Sequence, residues 1–182
     1  LGSTYFMEFY TPNLGIASGN FGVYLSKDGG LLWDTSPHGI FSFDFIDNQN
    51  GLGVSDSGIY KTTDGGNTFL LVQSGSAEAV NYLSNSVVVA VVDGMFLRST
   101  DGGTNWTTIT SAQGRNNLVK VSADVALAWG RTGNFPDFDD RVFRSTDGGQ
   151  SWNDLGEILN ASTYYGSFAF TVSSEQNIVA TD

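Results

Sequence analysis

Short runs of β-branched and aromatic residues recur along the chain, broken by Gly, Asn and Asp. Strand formers separated by turn formers predict many short β-strands. No window of helix length carries a convincing 3.6-residue apolar period. A first strand is expected at 4–10, 41–46, 79–83, 118–122 and 168–172. A second is expected at 15–18, 51–55, 86–92, 125–129 and 177–181, and a third at 23–25, 59–61, 95–98 and 142–144. The longest apolar run, Val87 to Val92, is strand-sized. It falls far short of the roughly 20 residues that span a bilayer as a helix.

Each third strand runs into the same motif. Its copies are Ser26-Lys27-Asp28-Gly29-Gly30-Leu31-Leu32-Trp33, Thr62-Thr63-Asp64-Gly65-Gly66-Asn67-Thr68-Phe69, Ser99-Thr100-Asp101-Gly102-Gly103-Thr104-Asn105-Trp106 and Ser145-Thr146-Asp147-Gly148-Gly149-Gln150-Ser151-Trp152. The aspartates are 36, 37 and 46 residues apart, so the last interval holds an insertion of about nine residues. As a turn the motif is chemically sensible. The carboxylate accepts from backbone N–H groups just ahead of it, and the Ser or Thr hydroxyl adds a local bond. The paired glycines permit positive φ. The aromatic residue folds back as a lid, and a short fourth strand follows it. Four short antiparallel strands repeating every 40 residues or so are the signature of a β-propeller blade. The expected fold is therefore all-β. It comprises four-stranded blades at about 4–36, 40–74, 78–111 and 117–158, with a partial blade at 162–182.

The motif resembles the Asp-box, or BNR, repeat, whose pattern is S/T-x-D-x-G-x-T-W. Phe69 replaces the Trp in the second copy. The stretch Asp47-Asn48-Gln49-Asn50-Gly51-Leu52-Gly53-Val54-Ser55 is similar to the subgroup related to the photosystem II stability factor, which also occurs in secreted bacterial surface proteins. The resemblance implies that Ser26, Asp28, Gly30, Trp33, Thr62, Asp64, Gly66, Phe69, Ser99, Asp101, Gly103, Trp106, Ser145, Asp147, Gly149 and Trp152 are structural, on the face away from any active site. It also implies six or more blades in a closed ring, so a segment of a larger propeller is expected rather than a five-bladed one. Open sheet edges would then invite further blades or self-association.

Composition narrows the chemistry. Eight Lys and Arg against 19 Asp and Glu give a net charge of −11. A chain this acidic is a poor binder of nucleic acid or anionic membrane. With no Cys there is no disulfide, thiolate metal site or thiol nucleophile. Abundant Gly, Ser, Thr, Asn and aromatics with little Lys and Glu suit a secreted or surface-displayed β-protein. The start, Leu1-Gly2-Ser3, is expected to be a mature or trimmed end.

In a propeller the loops between second and third strands share the face opposite the repeated turns. There stand Asp56, Asp93 and the inserted stretch with Arg131, Phe135, Asp137, Phe138, Asp139 and Asp140, preceded by Trp129. A long loop on a rigid scaffold is a usual place for function. Trp129, Phe135 and Phe138 suit stacking on a sugar or gripping a peptide. Asp137, Asp139 and Asp140 offer oxygen ligands for Ca²⁺, although without an EF-hand spacing, so no cofactor is assigned. The sole histidine, His38, reads as a surface turn residue. These features favour a non-catalytic module that recognises a protein or glycan. The alternatives are a glycoside hydrolase, since Asp-box propellers include sialidases and xyloglucanases, and a self-assembling surface protein. A sialidase needs an arginine cluster. Arg98 and Arg144 instead stand at equivalent positions beside the motifs.

Overall fold

The computed structural model describes residues 4–19, 22–111, 115–134, 137–157, 169–174 and 177–181. Strands β1 (Thr4–Phe9), β2 (Gly15–Gly19), β3 (Gly22–Ser26) and β4 (Asp34–Thr35) make the first antiparallel sheet. Strands β5 (Ser42–Phe45), β6 (Gly51–Ser55), β7 (Gly58–Thr62) and β8 (Leu70–Ser74) make the second. The third holds β9 (Ala77–Tyr82), β10 (Val88–Val92), β11 (Met95–Ser99) and β12 (Thr107–Ser111). The fourth holds β13 (Arg115–Lys120), β14 (Ala126–Asn134), β15 (Asp137–Ser145) and β16 (Asn153–Glu157). Strands β17 (Ala169–Ser174) and β18 (Asn177–Thr181) pair with each other. Phe168, the start of the expected last first-strand, lies outside the described residues, as does Phe135.

In every sheet the strands lie in chain order. The first strand β9 packs against β5 on one side and β13 on the other. First strands are therefore inner and fourth strands outer, and successive sheets follow one another as blades. The fold is a segment of a β-propeller, as the repeat predicts.

Blades adhere through their faces. Leu52, Val54 and Ile59 of blade 2 cluster with Val80, Tyr82, Ala90 and Leu97 of blade 3. Leu14, Ile16 and Leu25 of blade 1 cluster with Ile40, Phe43 and Phe69 around blade 2. Val91 and Phe96 of blade 3 meet Ala128, Phe143 and Trp152 of blade 4. Both faces of the inner blades are thus buried, which explains the near-continuous apolar content of β6 and β10.

The insertion differs from expectation. Residues 131–134 and 137–140 are strand, not loop: β14 and β15 continue as a paired ladder to Asn134↔Asp137. Arg131 pairs with Asp140, Thr132 with Asp139 and Gly133 with Phe138. Extra residues inserted symmetrically on both sides of a hairpin turn can satisfy their own backbone groups by pairing, whereas a free loop cannot.

Candidate functional site

The repeated turns come first, because they define one end of the segment. In each copy the hydroxyl of Ser26, Thr62, Ser99 or Ser145 donates to the following aspartate Oδ1 at 2.8–3.0 Å. The same oxygen accepts from the second glycine N–H at 2.8–2.9 Å. The aspartate Oδ1 accepts the N–H four residues on, at 2.9 Å in all four copies. Both glycines of every copy have φ between 68° and 88°, a region that L-residues enter only at a cost. The first glycine donates to the turn joining the first two strands, as Gly65 does to the Gln49 carbonyl at 2.9 Å. The aromatic lid closes over the pair, with Trp33 Nε1 donating to the Gly30 carbonyl and Trp106 Nε1 to that of Gly103.

These bonds favour the ionised carboxylate. The Thr68 hydroxyl, then its N–H, hold Asp64 down to about 2. The Asn105 N–H, followed by its side-chain amide, lowers Asp101 further. The Leu32 N–H lowers Asp28. At Asp147 partial desolvation works in the opposite sense, but the Ser151 hydroxyl and N–H outweigh it. A carboxylate whose folded pKa lies below its unfolded value of about 4 stabilises the fold above that value and ceases to do so as pH falls through the folded one. Asp44 is opposite in sign. Burial raises it, even though it accepts the Tyr82 N–H across the blade boundary at 2.7 Å. With Asp47, held down by the Asn50 side-chain amide, five lowered carboxylates outweigh one raised one. The urea midpoint is therefore expected to fall steeply between about pH 4 and pH 2, and Asp64→Asn to flatten that slope.

At this turn end a cleft of about 450 Å³ lies between blades 1 and 2, lined by Thr11, Asn13, Lys27, Asn48, Gln49 and Asn67 among others. Lys27 Nζ spans the blade boundary there to Asn67 Oδ1 at 3.0 Å.

The opposite end carries the turns between second and third strands and the linkers between blades. Here the structure adds a cluster with no local sequence signal. His38, in a 3₁₀ turn at Pro37–Gly39, adopts φ 57° and ψ 16°. Its exposed ring stacks on Tyr60, with centroids 4.6 Å apart and planes 12° apart. The Tyr60 hydroxyl lies 3.1 Å from Ser57 Oγ, which lies 2.9 Å from Ser55 Oγ. Two flat rings and three hydroxyls thus form one row beside the turn that holds Asp56.

The candidates from sequence share this end but occupy separate blades. Asp56 is exposed in the blade 2 turn. Asp93 sits in the blade 3 turn with φ 50°, followed by Gly94 at 68°, the paired positive angles of a tight hairpin turn. Its carboxylate accepts the Ser76 N–H at 2.8 Å, and its own N–H donates to the Ser76 carbonyl at 2.8 Å. Asp93 therefore ties the turn to the linker between blades 2 and 3. Trp129 is half-buried within β14, paired with Asn117 and Val142. By register its counterparts are Ser18, Val54 and Val91. Arg131, Asp137, Phe138, Asp139 and Asp140 lie on the extended hairpin. There the backbone is a paired ladder, not a loop.

No protein-family model and no curated protein sequence matches the chain. Solved structures do. An ancestral GH74 enzyme aligns with a TM-score of 0.67 at 19% identity, covering 88% of this chain and 25% of that one. The GH74 enzyme of Niastella koreensis aligns at 0.58 and 20% identity, over 81% of this chain and 28% of that one. The GH74 xyloglucanase of Xanthomonas campestris aligns at 0.55 and 17% identity, over 78% of this chain and 28% of that one. At these identities the likeness is one of fold. The chain spans about a quarter of the length of each.

Proposed function

We propose that the chain is a segment of an Asp-box propeller, belonging to a secreted or surface-displayed protein, whose end opposite the boxes recognises a glycan without hydrolysing it. The observation that carries this reading is the row formed by His38, Tyr60, Ser57 and Ser55. Flat rings suit the apolar faces of sugars, and the exposed Ser57 hydroxyl, held from behind by buried Ser55, suits their edges. His38 holds its place in a left-handed backbone conformation. Such conformations cost energy in most residues and cluster at binding sites. The fold likeness to a xyloglucanase makes a β-glucan with xylose branches the first ligand to try.

Calorimetric titration with xyloglucan oligosaccharides tests it. His38→Ala is expected to weaken binding about tenfold, the worth of one ring contact. Tyr60→Phe, which removes only the hydroxyl, is expected to weaken it a few-fold. Unchanged affinity in both variants would sink the assignment. The hydrolase reading is favoured by the GH74 neighbours. It requires new reducing ends to appear with the wild-type chain and to vanish with Asp139→Asn.

A further inference from the structure

The place of His38 is decided by the residues before and beneath it. Strands β4 and β8 begin at corresponding positions, yet β4 stops at Thr35 while β8 runs on to Ser74. Pro37 has no N–H to continue the ladder. Ser36 therefore makes the last bond of that strand, its N–H donating to the Val23 carbonyl at 2.8 Å. Ser36 has φ −59° and ψ 130°, the extended form that a following proline favours. The chain then turns through Pro37–Gly39. The Ser36 hydroxyl, only 8% exposed, donates to the Ile40 carbonyl at 2.8 Å. The Ile40 N–H donates to the Pro37 carbonyl at 3.1 Å. These two bonds close the turn on itself.

Beneath the turn, the fully buried Ile40 side chain takes the space of a missing Cβ. One built on Gly53 would stand 2.6 Å from Ile40 Cγ2. Gly53 pairs with Tyr60, so the plug and the ring under His38 are cross-strand neighbours on one face. Gly53 departs from the repeat. By register its counterparts are Ala17, Ala90 and Ala128. Tyr60 does not set blade 2 apart, because blade 1 has Tyr24 at the same position. The backbone at Gly53 is ordinary strand without a positive φ. Glycine inside a strand weakens it and often marks a close approach. Here the approaching group is Ile40. An alanine at 53 would need Ile40 to give way. Ile40 is β-branched, so its side chain has little rotational freedom. The displacement passes to the backbone of the turn, and with it to His38.

We infer that Gly53, Ile40 and Ser36 are positioning residues that build the stack of His38 on Tyr60 before any ligand arrives, and that Gly53 is what lets blade 2 carry it where the other blades have alanine. The inference rests on reading the row that holds His38 as the glycan site. A prebuilt platform spares a ligand the cost of ordering the turn. Loosening the turn therefore costs the ligand the same ring contact as removing the imidazole.

The test installs the residue that the other blades use, Gly53→Ala, and in a second variant removes the hydroxyl with Ser36→Ala. The first readout needs no ligand. Stacking on Tyr60 displaces the proton resonances of the His38 ring through the ring current. At constant pH both variants are expected to return them to the positions of an unstacked histidine, while the amide resonances of Asp101 and Asp147 stay in place. Ser36→Thr keeps the hydroxyl and is expected to keep the displacement. The second readout is calorimetric titration with a xyloglucan oligosaccharide. Gly53→Ala and Ser36→Ala are expected to bind about tenfold more weakly, as His38→Ala does. Ring resonances that stay displaced in both alanine variants would overturn the inference. Resonances that lose their displacement while the affinity is unchanged would uphold the positioning and count against the glycan reading instead.

Discussion

Replacing Phe96 with alanine is expected to destabilise the chain by about 4 kcal/mol, within the cost of a buried Phe→Ala truncation. Phe96 is fully buried on β11 where blade 3 meets blade 4. Its ring lies parallel to Trp152 at 4.1 Å and edge-on to Phe143 at 5.5 Å. Truncation removes the buried area and two ring contacts at once, and leaves a void that two blades cannot close without moving apart. Trp152 is also the lid of the fourth repeated turn, so damage at the boundary reaches that turn. Phe96→Leu keeps most of the volume and is expected to cost only about 1–2 kcal/mol. Urea denaturation followed by Trp fluorescence measures both. A loss below 1 kcal/mol for Phe96→Ala would mean that the blades do not adhere as described.

Gly149→Ala is expected to cost about 3 kcal/mol, although it adds one methyl group. Gly149 has φ 80°, where a Cβ costs roughly 1–2 kcal/mol. The new methyl would also overlap Val89 Cγ1. Val89 is fully buried and β-branched, so it has little freedom to rotate away, and overpacking adds roughly 1–3 kcal/mol. Gly39→Ala separates the two causes. Gly39 has φ 67°, but a Cβ there would meet nothing within 4 Å. It is expected to cost only the backbone share, about 1 kcal/mol. Equal losses at both positions would mean that the second glycine serves the turn alone and not the junction with the preceding blade.

The repeated turns were legible in the sequence because their chemistry is local. Asp28, Asp64, Asp101 and Asp147 bond groups within four residues, and the glycine pairs announce the positive φ. Strand order followed from the repeat. The strand pairing of 131–134 with 137–140 was not legible, because Asp137, Asp139 and Asp140 look like solvated loop residues until pairing with Asn134, Thr132 and Arg131 is known. The stacking of His38 on Tyr60 joins a linker to a strand 22 residues away in the chain, and no short pattern encodes it. The junction role of the second glycines was hidden for the same reason: Leu25, Leu52 and Val89 belong to the blade before.

The −11 charge now has a structural setting. At the turn end, Asp28, Asp64, Asp101 and Asp147 carry part of it within fixed hydrogen-bond circuits. At the other end the row of His38, Tyr60, Ser57 and Ser55 holds no carboxylate, as suits an uncharged sugar. The two ends therefore make different predictions for where a glycan sits.

Backbone amide chemical shifts recorded during titration with a xyloglucan oligosaccharide test the central claim most directly. Recognition at the end opposite the turns predicts the largest shifts at Ser36, His38, Ser55, Ser57 and Tyr60, and their loss in His38→Ala. Shifts confined to Asn13, Lys27, Asn48, Gln49 and Asn67, around the cleft at the turn end, would contradict it.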